Sequence, residues 1–200
     1  MNIGKTDIIA KIRKAIDDVL PTATDSFTND TDNELWQAVF QAVQALLEEL
    51  PLKMMNPSSG NLSASTVQDG GSDIVLPAGF LRFVNVRLTG WTGPLGELME
   101  PDSDDARRQR SPWSRGTAEK PKAMIHHNAS GALILSCWPS GEISILNYIP
   151  KAEATADTVT CALKDETERL VIFRAAAIFF EGKKEPGTAA KFTALATTTE

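Results

Sequence analysis

His126 and His127 are the two histidines in this 200-residue sequence, and with Cys137 and Cys161 they are the side chains best suited to hold a metal or activate a nucleophile. Residues 122–127, Lys-Ala-Met-Ile-His-His, read as a strand. Adjacent side chains on a strand point to opposite faces, so the histidine pair cannot chelate one metal ion. The cysteines are too few and too far apart for a disulfide framework or a four-ligand zinc site, and both are expected to be reduced packing residues. A Ser-His-Asp or Cys-His relay would need a serine or Cys137 to meet a histidine in space, and given the geometry such a relay demands none is expected. Asp102, Asp104 and Asp105 could work as a general acid–base pair, but a solvated loop offers them none of the burial that such a pair needs. There is no phosphate-binding loop, no glycine fingerprint after a strand and no internal repeat. The sequence therefore predicts neither enzyme activity nor a bound metal or cofactor.

The elements that would position any site are clearer. A mixed composition with 42% apolar residues suits a packed globular chain, and a net charge of −6 argues against wrapping of nucleic acid phosphates. No apolar run is long enough to span a membrane, and nothing near Met1 resembles a leader, so synthesis in the cytoplasm without export is expected. A first helix is predicted at 6–20, where Ile8, Ile9, Ile12 and Ile16 repeat at three and four residues and Pro21 stops the run. A linker leads to Thr31 and Glu34, which match a capping box. A second helix follows, with Leu35, Trp36, Val39, Phe40, Val43, Leu46, Leu47 and Leu50 on its apolar stripe up to Pro51. A third is predicted from a cap at Asp165 with Glu168, apolar nearly all round and so central to its layer; a fourth spans 186–197.

Between the helices the pattern changes to strands. A short one is expected within 62–67 and another at 158–163. Residues 76–91, entered through Leu76-Pro77, alternate so that Val84, Val86 and Leu88 share one face and Asn85, Arg87 and Thr89 the other. Residues 131–150 read as a hairpin about the turn Trp138-Pro139-Ser140-Gly141. The fold class is α+β: a four-helix layer from both chain ends (1–55 and 164–200), with Trp36, Phe40, Val43, Phe173 and Phe180 in its core, and an inserted small antiparallel β domain (56–163).

Inside that β domain lies a charged loop, 97–121. Glu97, Glu100, Asp102, Asp104 and Asp105 precede Arg107, Arg108, Arg110 and Arg115, with Trp113 beside Pro112. Such a stretch is either a solvated excursion or an arm that docks on a neighbour; a tryptophan among arginines has the composition of an interface anchor, which favours docking.

Two N-terminal helices, a strand of the form LPAGFLRFVNVRLTGW, a charged excursion ending in Arg115-Gly116 and Lys120-Pro121, a hairpin ending in NYIP and a closing helix pair follow one another in an order that resembles the head-to-tail adaptor (connector) proteins of tailed bacteriophages, of the short-tailed or crAss-like type. The resemblance covers nearly the whole chain and implies a structural virion protein of the neck or tail, assembled in the host cytoplasm. It also implies a homo-oligomeric ring, commonly of twelve copies, that sits below the portal protein, contacts further tail or ring proteins and lines the DNA exit channel without sequence-specific binding. On that reading Asp102, Asp104, Asp105, Arg107, Arg108, Arg110, Trp113 and Arg115 are candidates for inter-subunit or portal docking, and a net-negative wall would repel DNA phosphates and let the genome slide. The alternatives are another phage component, such as a minor tail or head-completion protein, and a monomeric β module presenting Trp91, Trp113 and Trp138 to a carbohydrate or peptide.

Overall fold

The computed structural model describes residues 1–20, 29–60, 62–66, 70–109 and 111–197. Pro21 and the linker after it, Val67, Arg110 and the tail from residue 198 lie outside the described residues. The chain forms an α+β architecture, with helices near both ends flanking a central multi-strand region, and divides into two compact units: Met1–Asn56 with Lys151–Glu200, and Pro57–Pro150.

The first unit contains β1 (Asn2–Gly4), α1 (Lys5–Val19), α2 (Asn29–Glu49), β9 (Glu153–Ala154), β10 (Thr158–Thr160), α4 (Glu168–Gly182) and α5 (Pro186–Thr197), the labels β2–β8 and α3 belonging to the second unit. The isoleucine stripe of α1 is buried at Ile8, Ile9, Ile12 and Ile16, and α2 buries Leu35, Trp36, Val39, Val43, Leu46 and Leu47. Helix α4 packs against α1, α2 and α5, as its apolar residues on all sides require. At the α4–α5 contact the rings of Phe180 and Phe192 stack with centroids 5.5 Å apart, and Phe173 lies 6.5 Å from Phe192. Lys11 of α1 donates to Asp7 and to Glu168, each at 2.8 Å, and these two hydrogen bonds raise its pKa to about 12.

Several details differ from the sequence reading. Phe40 and Phe173, expected in the core with Trp36, Val43 and Phe180, are only half-buried. Helix α2 begins at Asn29, so Thr31 lies within its first turn and is not its cap, and Glu34 pairs with Lys183. Asp165 does not cap α4 either: Asp165–Thr167 is a 3₁₀ turn leading into the helix, and the Thr167 hydroxyl turns back to the Lys164 carbonyl at 2.7 Å. Residues 151–163, assigned from sequence to the inserted β domain, fall in the helical unit, because β10 pairs with β1 and β9 and sets Val159 opposite Ile3, both buried.

The second unit holds two antiparallel sheets. One has the order β2-β8-β5, with β2 at Ser58–Ser59, β5 at Phe80–Leu88 and β8 at Ile143–Pro150. The other has the order β3-β4-β7-β6, with β3 at Ala64–Thr66, β4 at Ser72–Val75, β6 at Lys122–His127 and β7 at Leu133–Trp138. Val86, Leu88 and Leu146 from the first sheet, Ile74, Ala123, Leu135 and Cys137 from the second, and Trp91 share one apolar core. The segment read as a hairpin is not one: β7 and β8 are neighbours in sequence but belong to different sheets. The turn at Trp138-Pro139-Ser140-Gly141 is a corner between them, pinned where the Ser72 hydroxyl donates to the Gly141 carbonyl and accepts from the Gly141 amide, both at 3.1 Å. In β5 a register shift between Phe83 and Asn85 breaks the expected alternation, leaving Val84 half-buried while Val86 and Leu88 are fully covered.

Replacing Phe192 by Ala should cost the helical unit about 3–5 kcal/mol, the usual loss for a buried Phe, whereas Phe40→Ala should cost clearly less. Urea denaturation followed by far-ultraviolet circular dichroism checks this, and equal losses for the two variants would refute the placement of the core.

Candidate functional site

The charged loop is built on the second unit and is not a free excursion. Its start is fixed where Leu95 exchanges backbone hydrogen bonds with Val86 at 2.8 and 2.9 Å and the Met99 amide donates to the Ala123 carbonyl at 2.8 Å. Ser103 caps α3 (Asp104–Arg108) by accepting from the Ala106 amide at 3.2 Å, which satisfies a donor that a helix this short would otherwise leave unpaired. Ala106 and Gln109 are buried. The Gln109 carboxamide donates to the Asp105 carbonyl and accepts from the Gly116 amide at 2.7 Å, stitching the two ends of the loop together. At Gly116 a Cβ would approach the Trp138 carbonyl to 2.7 Å and the Lys122 amide to 2.9 Å, so the loop returns to the sheet at a point where only glycine fits.

Of the candidate docking residues, Asp102 is exposed in the turn before α3, and Asp104, Asp105, Arg107 and Arg108 are exposed on it. The charges do not separate into an acidic and a basic end as the linear order suggested. Arg107 pairs with Asp104 at 3.4 Å and Arg108 with Asp105 at 3.9 Å, the one-turn spacing of a helix, and Lys122 reaches Asp105 at 3.5 Å. Arg110 lies outside the described residues. Arg115 is half-buried with its guanidinium against Gly70, whose positive φ of 69° and lack of a Cβ both suit the close approach. Trp113 is 97% exposed. The other three tryptophans are buried, and the Trp91 indole donates to the Pro139 carbonyl at 3.0 Å.

One constellation was missed from sequence. The Ser136 hydroxyl on β7 donates to Asp73 Oδ1 on β4 at 2.5 Å, and His126 Nε2 on β6 lies 2.8 Å from Ser136 Oγ. Residue types match a hydrolytic relay, but their connection does not. There the imidazole receives the serine proton and the carboxylate holds the other ring nitrogen. Here the carboxylate takes the serine hydrogen directly, His126 Nδ1 faces the His127 carbonyl at 3.3 Å, and Ser136 is 4% exposed. The three side chains form a polar link across three strands. Only the register, which sets Asp73 opposite Ser136 and places His126 two residues from Ser136's partner Met124, could have announced it. Among the described residues no group of His, Cys, Asp and Glu side chains is placed to hold a metal ion, and no helix is long and apolar enough to cross a membrane.

No protein-family model matches the chain, and no curated protein matches it in sequence.

Both cysteines are buried and free. Burial, helped by the nearby Asp73 charge, pushes the Cys137 thiol from its ordinary 9.0 up to about 12, and burial raises Cys161 as well. Because the raised value favours the neutral thiol in the folded state, the stability that Cys137 contributes is complete below 9.0 and is lost as pH climbs toward 12. A thiol reagent at mildly alkaline pH should therefore titrate neither cysteine in the native protein and both after unfolding in guanidinium. Rapid native labelling of Cys137 would contradict its burial.

Proposed function

We propose that the protein is a non-enzymatic structural component of a virion: a head-to-tail adaptor of a tailed bacteriophage, of the short-tailed or crAss-like type. On this reading copies of the chain form a closed ring, commonly of twelve, beneath the portal, join head to tail and surround the channel through which the genome leaves. The order of elements supports it: helices near both ends of the chain flank a two-sheet unit that carries an anchored charged loop. The single observation that carries the reading is the exposure of Trp113. A fully solvated indole on an otherwise tied-down loop has the residue type and the presentation of an interface anchor, which suits a subunit that docks. Burial of Trp91 and Trp138 removes the row of exposed aromatics that a carbohydrate- or peptide-binding module would present. The net charge of −6 suits a channel wall along which DNA slides without adhering.

Negative-stain microscopy of the purified protein mixed with the portal protein of the same genome tests this. Annular densities stacked on one end of the portal are expected, and they should weaken as salt is raised if the charged loop contributes to the contact. Failure of the two proteins to co-sediment at low salt would overturn the adaptor assignment.

A further inference from the structure

The second unit carries a knob and a cleft that complement each other, and the indole at the tip of the knob does not enter the cleft within one chain. The knob is Trp113 with the exposed Arg107 and Arg108 preceding it. Its turn is already ordered: the Ser114 and Arg115 amides donate to the Ser111 carbonyl at 3.2 Å, and the Ser114 hydroxyl donates to the Arg108 carbonyl at 2.9 Å. A backbone turn ordered this way loses little conformational freedom on binding, and the indole it carries offers the large flat area typical of interface anchors.

The cleft, of about 490 Å³, lies beside α3. Leu95, Leu98 and Met99 give it apolar surface, and Glu97, Glu100 and Asp104 line it with carboxylates. Lys122 also lines it but is matched by Asp105 at 3.5 Å, whereas the Glu97 and Glu100 carboxylates have no ion-pair partner among the described residues. Such a cleft suits an occupant that is apolar at its tip and cationic at its flank. With 97% of Trp113 exposed, the chain's own knob does not fill it.

We propose that Trp113 of one copy seats in this cleft of the next copy, with Arg107 and Arg108 approaching Glu97 and Glu100. Their present pairs with Asp104 and Asp105 are long and solvated, so exchanging them costs little. In a ring the knob of each copy enters the cleft of the next and its own cleft receives a third copy's knob, a heterologous contact that propagates from copy to copy and closes when the rotation permits. A reciprocal exchange between two copies would instead stop at a two-fold dimer. The inference rests on the ring reading and names its subunit interface.

The test uses two full-length variants, Trp113→Ala to remove the knob and Leu98→Arg to block the cleft, with circular dichroism and melting confirming that each folds. Sedimentation velocity of each alone should show association weakened about thirtyfold or more, as for a central aromatic anchor. Mixed in equal amounts, the variants should form a heterodimer and nothing larger, because the mixture has one intact knob and one intact cleft per pair. A photo-crosslinking phenylalanine analogue at position 113 should also capture residues 95–100 of another copy. If the wild type forms rings and the Trp113→Ala variant forms them equally well, or if the crosslink maps elsewhere, the knob-and-cleft contact is wrong while the ring reading stands. A wild type that stays monomeric at every concentration overturns both. Should Leu98→Arg fail to fold, Glu97→Arg with Glu100→Arg replaces it, and unimpaired association of that variant counts equally against the contact.

Discussion

The second unit depends on a corner with no room to spare. Between β7 and β8 the chain leaves one sheet for the other, and at Gly141 a Cβ would stand 2.6 Å from the Thr89 carbonyl at the end of β5. The buried Ser72 hydroxyl closes the other side with its paired hydrogen bonds to the Gly141 backbone, tying β4 to the same point. Both sheets are thus held together at one glycine, with Trp91 completing the core beneath and bonding to Pro139 in the corner itself. The loop inherits this rigidity, because its return at Gly116 packs against the carbonyl of Trp138, the last residue before the turn.

That inheritance changes what the charged segment can do. Local pairing on α3 and the Gln109 bridge make it a shaped projection whose acids and bases are interleaved, so its specificity must come from shape and from the carboxylates left unmatched nearby. The one large aromatic it carries is spent on solvent in the isolated chain. In a subunit that assembles, the same residue is carried on an ordered backbone turn, which lowers the ordering cost of association.

How much of this could be read from the chain varied with the range of the interaction. Helical stripes at Ile8–Ile16 spacing or around Leu35 and Val43 are local and were legible, as was the central place of the helix at 168–182, apolar on every side. Caps were less so: Thr31 and Asp165 have the right types, but helix ends shift by a turn when flanking residues continue the spiral or a 3₁₀ turn intervenes. The hairpin at 138–141 was misread because sequence proximity favours pairing of adjacent strands, and nothing local shows that Ser72, far upstream, holds the corner apart. Sheet register is equally invisible, which hid the Asp73–Ser136–His126 link and the bulge that turns Val84 out of line. The docking candidates were legible as composition. The half-burial of Arg115 was not, since it depends on a glycine at position 70 that lies far from it in sequence.

Ring formation is the claim on which the functional account stands, and native mass spectrometry of the untagged protein over a range of concentrations measures it most directly. The account predicts one discrete closed species whose mass is a whole multiple of the 21.7 kDa chain, with few open intermediates. A 21.7 kDa monomer at every concentration, or an unbounded ladder of masses, would contradict it.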